Sequence, residues 1–269
     1  MRKLSGDELR KLQLDLLDAF DRLCREHGID YCLAYGSALG AARHGGFIPW
    51  DDDIDVHVMR EDYELLLAHY DEWQHEPHHK LKSYRDGIST YQYAKLVDVR
   101  TRAKELYSTE KDGPGVWIDL FPIDFVPKHA RKVYGKHRRL KFARDMSLAD
   151  TSYALSPLAL VAKKIIAPLF KRVDPRKIAR LIDENAMNCE KGDKSRCLDI
   201  VGTDIYITFP TEMLRPKRMR FEGREYNVPS QLEEYLTLEY GDWRKPLDES
   251  ERHAHASEVY WLEDNAPGI

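Results

Sequence analysis

The 269-residue chain has 42% hydrophobic and 33% charged residues and a formal net charge of -4. That is apolar enough to bury a sizeable core and too acidic for a nucleic-acid-type polycation. No run of about 18 apolar residues occurs, which excludes a membrane-spanning helix.

The opening "MRKLSGDELRKLQLDLLDAF" carries charges throughout, so no signal peptide is expected. Ser5 and Glu8 make a capping-box pattern ahead of Leu9, Leu12, Leu16, Phe20 and Leu23, whose spacing predicts an amphipathic helix that Gly28 stops. "IDYCLAYGS" reads as a buried strand, "SALGAAR" as a short helix after a turn, and "DIDVHVM" as the next strand, followed by a helix over "REDYELLLAHYDEW". "HKLKSY", "YQYAKLVDV" and "GVWIDLFPI" read as further strands. From about 128 to 194 the pattern turns helical and basic. "RMRFEGREYNVP" then reads as a hairpin, and "SQLEEYLTLEYGDW" as a helix capped by Ser230 and Glu233 and ended by Gly241. The expectation is one α/β (α+β) domain over 1–269, a mixed β-sheet flanked by helices with a basic helical insertion at about 128–194. Cys24, Cys32, Cys189 and Cys197 form neither zinc pairs nor a disulfide framework, which points to thiols in a reducing, cytoplasmic setting.

The stretch "WDDDIDVHV" crowds four carboxylates where like charges repel and Asp is a poor strand former. Ile54, Val56 and Val58 alternate with Asp53, Asp55 and His57, a strand with one apolar and one polar face, which would project Asp51, Asp53 and Asp55 to one side. Such a row needs a cation. Upstream, Gly36 and Ser37 supply a turn whose backbone N–H groups, hydroxyl and following helix N-terminus suit phosphate oxygens. A Gly-Ser pair alone is weak evidence. Followed by Asp53-x-Asp55, which can hold one or two Mg²⁺ ions against those phosphates, it reads as a phosphoryl-transfer site. An EF-hand reading fails, because Val56 stands where Gly must turn the loop and Asp62 replaces the bidentate Glu.

"YGSALGAARHGGFIPWDDDID" resembles the signature of the LicD family, a branch of the nucleotidyltransferase-fold superfamily. "GVWIDLFPIDFVP" and "EYLTLEYGDWRKPLDESERHAH" resemble its second and C-terminal blocks. The blocks run from about Tyr31 to His255, with 130–196 matched least. The resemblance implies a nucleotidyltransferase-like sheet, and metal-dependent (Mg²⁺ or Mn²⁺) transfer of a phospho-alcohol to a glycan or teichoic-acid-like acceptor. Phosphocholine from a CDP-choline donor is the leading case, with CMP released. Transfer of NMP from an NTP to a small molecule would use the same carboxylates, and a non-catalytic metal- or nucleotide-binding protein on this fold is the third reading.

By the same resemblance, Asp53 and Asp55 match the metal-binding pair. Asp51 is a third ligand or a carboxylate behind the ligands, and Asp119 in "VWIDLF" matches the carboxylate from a neighbouring strand, either ligating the metal or taking the acceptor's proton. Asp124 is its rival, read as a loop residue. Arg43 and His44 follow the short helix as diphosphate contacts or as structural partners of the Asp cluster. Lys95 and Arg100 are phosphate-neutralising candidates against a plain solvated strand face. Arg252 is a candidate acceptor or phosphate contact, and Asp242 and His255 fall in the same final block. A choline headgroup would need aromatics or a carboxylate, for which Trp50, Tyr91, Tyr93, Trp117 and Trp243 lie in the right blocks.

Between Lys128 and Arg180 stand 15 Lys and Arg against 3 Asp. Within that stretch "SPLALVAKKIIAPLFKRVDPRK" combines apolar and basic residues. It reads either as a segment lying on an anionic membrane at the inner cell face, with a lipid-linked saccharide as acceptor, or as a packing helix with a solvated basic side.

Overall fold

The computed structural model describes residues 1–105, 113, 115–152, 157–246 and 257–262. In chain order, β1 (Arg2–Lys3) precedes α1 (Gly6–His27), β2 (Tyr31–Leu33), α2 (Tyr35–His44), β3 (Asp55–Met59) and α3 (Arg60–Trp73). Then come β4 (His79–Lys82), β5 (Ala94–Asp98), β6 (Thr101–Glu105) and β7 (Val116–Phe125). Three helices follow: α4 (Ala130–Leu148), α5 (Pro157–Phe170) and α6 (Pro175–Met187). The chain continues with β8 (Arg196–Asp199), β9 (Phe209–Pro210), the hairpin of β10 (Pro216–Phe221) and β11 (Arg224–Pro229), α7 (Leu232–Tyr240) and β12 (Ser257–Trp261).

The central mixed sheet has the order β2-β3-β7-β5-β4. β3 and β7 run parallel, and the other pairs are antiparallel. The ten-residue β7 serves two partners on one side: its first half pairs with β5 and its end with β8, which in turn pairs with β9. α1 forms as its sequence dictates. Ser5 Oγ accepts from Glu8 N, Glu8 Oε2 accepts from Ser5 N at 2.9 Å, and Gly28 ends the helix at φ 68. Leu12, Leu16, Leu17, Phe20 and Leu23 are buried in the core, where each such side chain contributes about 1.5–3 kcal/mol.

The helical insertion is present as α4, α5 and α6, and it is tied to the body by charge as well as by packing. Asp183 of α6 accepts from Arg60 of α3 at 2.8 Å and from Arg85 at 2.7 Å. Ile182 and Ala186 pack against Leu198, Ile200 and Val201.

Several sequence expectations change. β3 begins at Asp55, so Asp51 and Asp53 lie in the segment before it rather than on the strand. Its second face is not polar surface either, because His57 is buried against Tyr35, Phe121 and Tyr235. Asp124 is no loop residue: it is fully buried within β7 and bonded to Arg60 at 2.7 Å and Lys191 at 2.9 Å. The α7 capping box does not form, since Ser230 Oγ donates to backbone carbonyls of Glu212 and Met213. A three-stranded sheet of β1, β12 and β6 was not foreseen, because a two-residue strand carries no period.

His79 and His137 are buried, and burial is the first cause pushing each down to about 4 from an ordinary 6.5. Their folded values lie below the unfolded one, so their contribution is complete above about pH 6.5 and is lost as acid protonates the unfolded chain first. Stability should therefore fall between about pH 6.5 and 4 by up to about 1.4 kcal/mol per pH unit for each histidine. Denaturant midpoints taken across that range should fall less steeply in His137→Phe; an unchanged slope would remove His137 from this account.

Candidate active site

Strand register assembles the site. The parallel β3–β7 ladder sets Asp55 beside Asp119, and the antiparallel β5–β7 ladder sets Lys95 on the other side of Asp119. Residues in register on adjacent strands share a face about 4.8 Å apart. Asp53, two residues ahead of β3, turns into the same space: ligand oxygens of Asp53, Asp55 and Asp119 lie within 4.8 Å of one another. The Ile54 carbonyl, accepting from Asp119 N at 2.8 Å, extends the ladder far enough to hold that approach.

Lys95 Nζ sits 2.7 Å from Asp119 Oδ1 and over the rings of Trp117, Tyr91 and Tyr93, at 4.5, 5.0 and 5.7 Å from their centroids. Trp117 Nε1 donates to Asp119 Oδ2 at 3.1 Å. The Lys95 contact is one of charge only, outside hydrogen-bonding angles, so Asp119 Oδ1 is a buried oxygen without a hydrogen bond. Burial, followed by the carboxylates of Asp53, Asp119 and Asp51, pushes the Asp55 carboxyl well above its usual range. An all-oxygen donor set with an unspent buried oxygen suits a hard divalent cation, which would hold these groups ionised together.

α2 brings its first turn against the acidic cluster. Tyr35 opens it at φ 43, rare for a side chain of this size; its N–H donates to the Tyr235 hydroxyl at 3.0 Å, and its own hydroxyl donates to Asp199 Oδ2 at 2.8 Å. A Cβ on Gly36 would lie 2.4 Å from Asp51 Oδ2, so glycine lets the Asp51 carboxylate approach the helix where any side chain would push it aside. Ser37 is buried, and its Oγ accepts from Asp55 N at 3.0 Å. The Gly-Ser pair thus lies inside the helix rather than in a turn ahead of it, and the hydroxyl anchors the start of β3.

Two cavities meet at Tyr35, Asp53 and Asp55. One, of about 540 Å³, extends past Lys95, Trp117, Asp119 and Lys141. The other, of about 400 Å³, extends past Arg43, Trp50, Asp51, Asp242, Trp243 and Lys245. Arg43 lines the second cavity and donates to the Trp243 carbonyl at 3.1 Å and to His44 Nε2 at 3.0 Å. His44 lines neither cavity and stands behind Arg43. Arg100 is also not at the site. It is held by Asp98 at 2.5 Å and lies over Trp261, beyond the end of β5 away from Lys95. Arg252 and His255 lie outside the described residues. Tyr35, Lys141, Tyr240 and Lys245 line the cavities and were not singled out from sequence. Lys141 stood within the basic segment, where nothing separates one lysine from its neighbours. A second grouping with metal-ligand atoms in reach, His78, His79 and Asp98, has its carboxylate already engaged by Arg100.

Residues 28–155 match the family model described as LicD/FKTN/FKRP, nucleotidyltransferase domain. The lipopolysaccharide cholinephosphotransferase LicD of Haemophilus influenzae is 30% identical over 97% of this chain and 100% of its own length. The human ribitol 5-phosphate transferase FKRP is 57% identical over 35 residues, 13% of this chain and 7% of that protein. An uncharacterised Rickettsia prowazekii protein, RP689, is 38% identical over 22% of each chain. With the first of these similarities running end to end, and a nucleotidyltransferase-type acidic centre set between a mixed sheet and a helix N-terminus, this chain belongs to the LicD family.

Proposed function

We propose that the chain is a metal-dependent phosphotransferase that moves a phospho-alcohol, phosphocholine first among the candidates, from a CDP-alcohol to a glycan or teichoic-acid-like hydroxyl. The observation that carries this reading is the full-length similarity to a cholinephosphotransferase, joined to an acidic centre that two cavities share. Asp53, Asp55 and Asp119, with Asp51 behind them against Gly36, are the residues that would hold Mg²⁺ or Mn²⁺. A bound divalent cation would neutralise the donor diphosphate and favour attack at phosphorus.

The chain's own groups have separable tasks. Arg43 and Lys245 offer positive charge to the diphosphate in the smaller cavity. Three of the five candidate aromatics close on the Lys95 ammonium, and Trp243 carries the Arg244 guanidinium 4.2 Å over its ring; Trp50 and Asp242, which line the smaller cavity, are the groups offered to a cationic headgroup. The acceptor enters on the Lys95 side, where Asp119 is placed to take its proton. The acceptor oxygen bonds to the phosphorus that bears the alcohol, the bond from that phosphorus to the bridging oxygen breaks, and CMP departs with that oxygen. Location in the cytoplasm, where thiols stay reduced, is supported by the free Cys24, Cys32, Cys189 and Cys197. Among the described residues, no helix is long and apolar enough to cross a membrane.

Incubating the enzyme and Mg²⁺ with CDP-choline, CDP-ethanolamine, CDP-glycerol, CDP-ribitol and NTPs, in the presence of a bacterial surface-glycan extract, tests the reading by mass spectrometry. CMP formation coupled to a phospho-alcohol on the acceptor is expected. An NMP-modified acceptor with pyrophosphate and no CMP would overturn it in favour of nucleotidyl transfer.

A further inference from the structure

The fold leaves one face of α5 bare. Leu158, Val161, Ile165 and Leu169 are 80, 56, 67 and 78% exposed. At 100° per residue these four fall within about 80° of arc, one stripe along the helix. Ala167, on the opposite side, is 1% exposed and faces α4. Phe142 of α4, half exposed, meets Phe170 edge-on at 5.7 Å, on the side of α5 turned toward α4 rather than on the stripe. Four large aliphatic side chains in one row are more than the scattered surface leucines of a soluble domain.

Charge around the stripe says what covers it. Lys164, Lys171, Arg172 and Lys177 are exposed, and among the described residues none stands within ion-pair distance of a carboxylate. Asp174, the nearest carboxylate on the following turn, caps α6 and lies 3.7 Å from Arg176. A second copy of the chain would bring the same cations against these, and like charges would oppose the pairing. An anionic bilayer supplies both requirements, acyl chains for the stripe and lipid headgroups for the flanking cations.

We propose that α5 docks the protein in the interface of an anionic membrane, its stripe entering the headgroup–acyl boundary and the flanking lysines and arginines on lipid phosphates. α4 connects this face to the chemistry: it packs against α5 and carries Lys141, which lines the larger cavity. Docking therefore brings that cavity near the lipid surface and favours an acceptor carried on a lipid. This last point rests on the transferase reading, whereas the docking does not.

The test uses the purified full chain without nucleotide, floated with vesicles of phosphatidylcholine alone or mixed with phosphatidylglycerol, at low and raised salt. Salt-sensitive flotation with the anionic vesicles is expected. The double variant Ile165→Ser/Leu169→Ser should lower it about tenfold or more, since it withdraws two aliphatic side chains from the interface. Both positions are exposed, so an unchanged melting temperature should accompany the loss. No flotation, or equal salt-insensitive flotation on neutral vesicles, would overturn the proposal. So would a wild-type dimer that the double variant converts to monomer, which would assign the stripe to a second copy.

Discussion

Asp53→Asn and Asp55→Asn should each lower turnover with CDP-choline by about a thousandfold or more, with the fold intact. The amide keeps the shape of the carboxylate and loses its charge, so the donor diphosphate would meet a centre that can no longer hold a divalent cation; a thousandfold corresponds to about 4 kcal/mol of barrier, within what such an ion contributes. The fold should survive because the bond that anchors β3 is made by the Asp55 backbone N–H to Ser37 Oγ, and Asn leaves it in place. Substitution at 55 also relieves crowding, since burial and three neighbouring carboxylates disfavour a charge there. Steady-state turnover, with melting temperature as control, checks the result. Chelation of the wild-type enzyme should give the same loss, reversed by adding Mg²⁺ or Mn²⁺. Undiminished turnover in both variants would remove these residues from the reaction.

How much of this was legible in the sequence depended on range. α1 was readable down to its cap because Ser5, Glu8 and Gly28 act within a few residues of one another. Asp53 and Asp55 stood out because four carboxylates in five residues need an explanation. What joins them to Asp119 and Lys95 was not readable from spacing, since it is the register of three strands drawn from distant parts of the chain. The same cause explains two displaced readings. Asp124 looked like a loop residue because its partners, Arg60 and Lys191, are more than 60 positions away on either side. Arg100 sits five residues from Lys95, yet β5 runs away from the site between them, and Asp98 holds it there. Tyr35 gave no signal at all: its positive φ answers to Tyr235 and Asp199, which only the closed fold places around it.

Lys95→Met is the variant from which the largest combined loss of stability and turnover is expected. The wild-type ammonium is buried, 2.7 Å from Asp119 Oδ1, with three aromatic rings around it. Methionine fills a similar volume and suits the rings, so packing is nearly conserved. The charge is not. Asp119 would be left buried beside Asp53 and Asp55, and removing one partner of a buried pair destabilises by about 3–5 kcal/mol. Arginine should not rescue it, because a planar guanidinium does not fit a cage closed around a compact ammonium. Adding Asp119→Asn to Lys95→Met removes the stranded charge and should restore most of the stability, while turnover stays lost with Asp119 gone. Denaturant midpoints for the two single variants and the double variant, measured without divalent cation, complete the cycle. A coupling near zero would mean that Lys95 and Asp119 are neighbours without dependence, and that something other than Lys95 neutralises the carboxylate at the centre of the row.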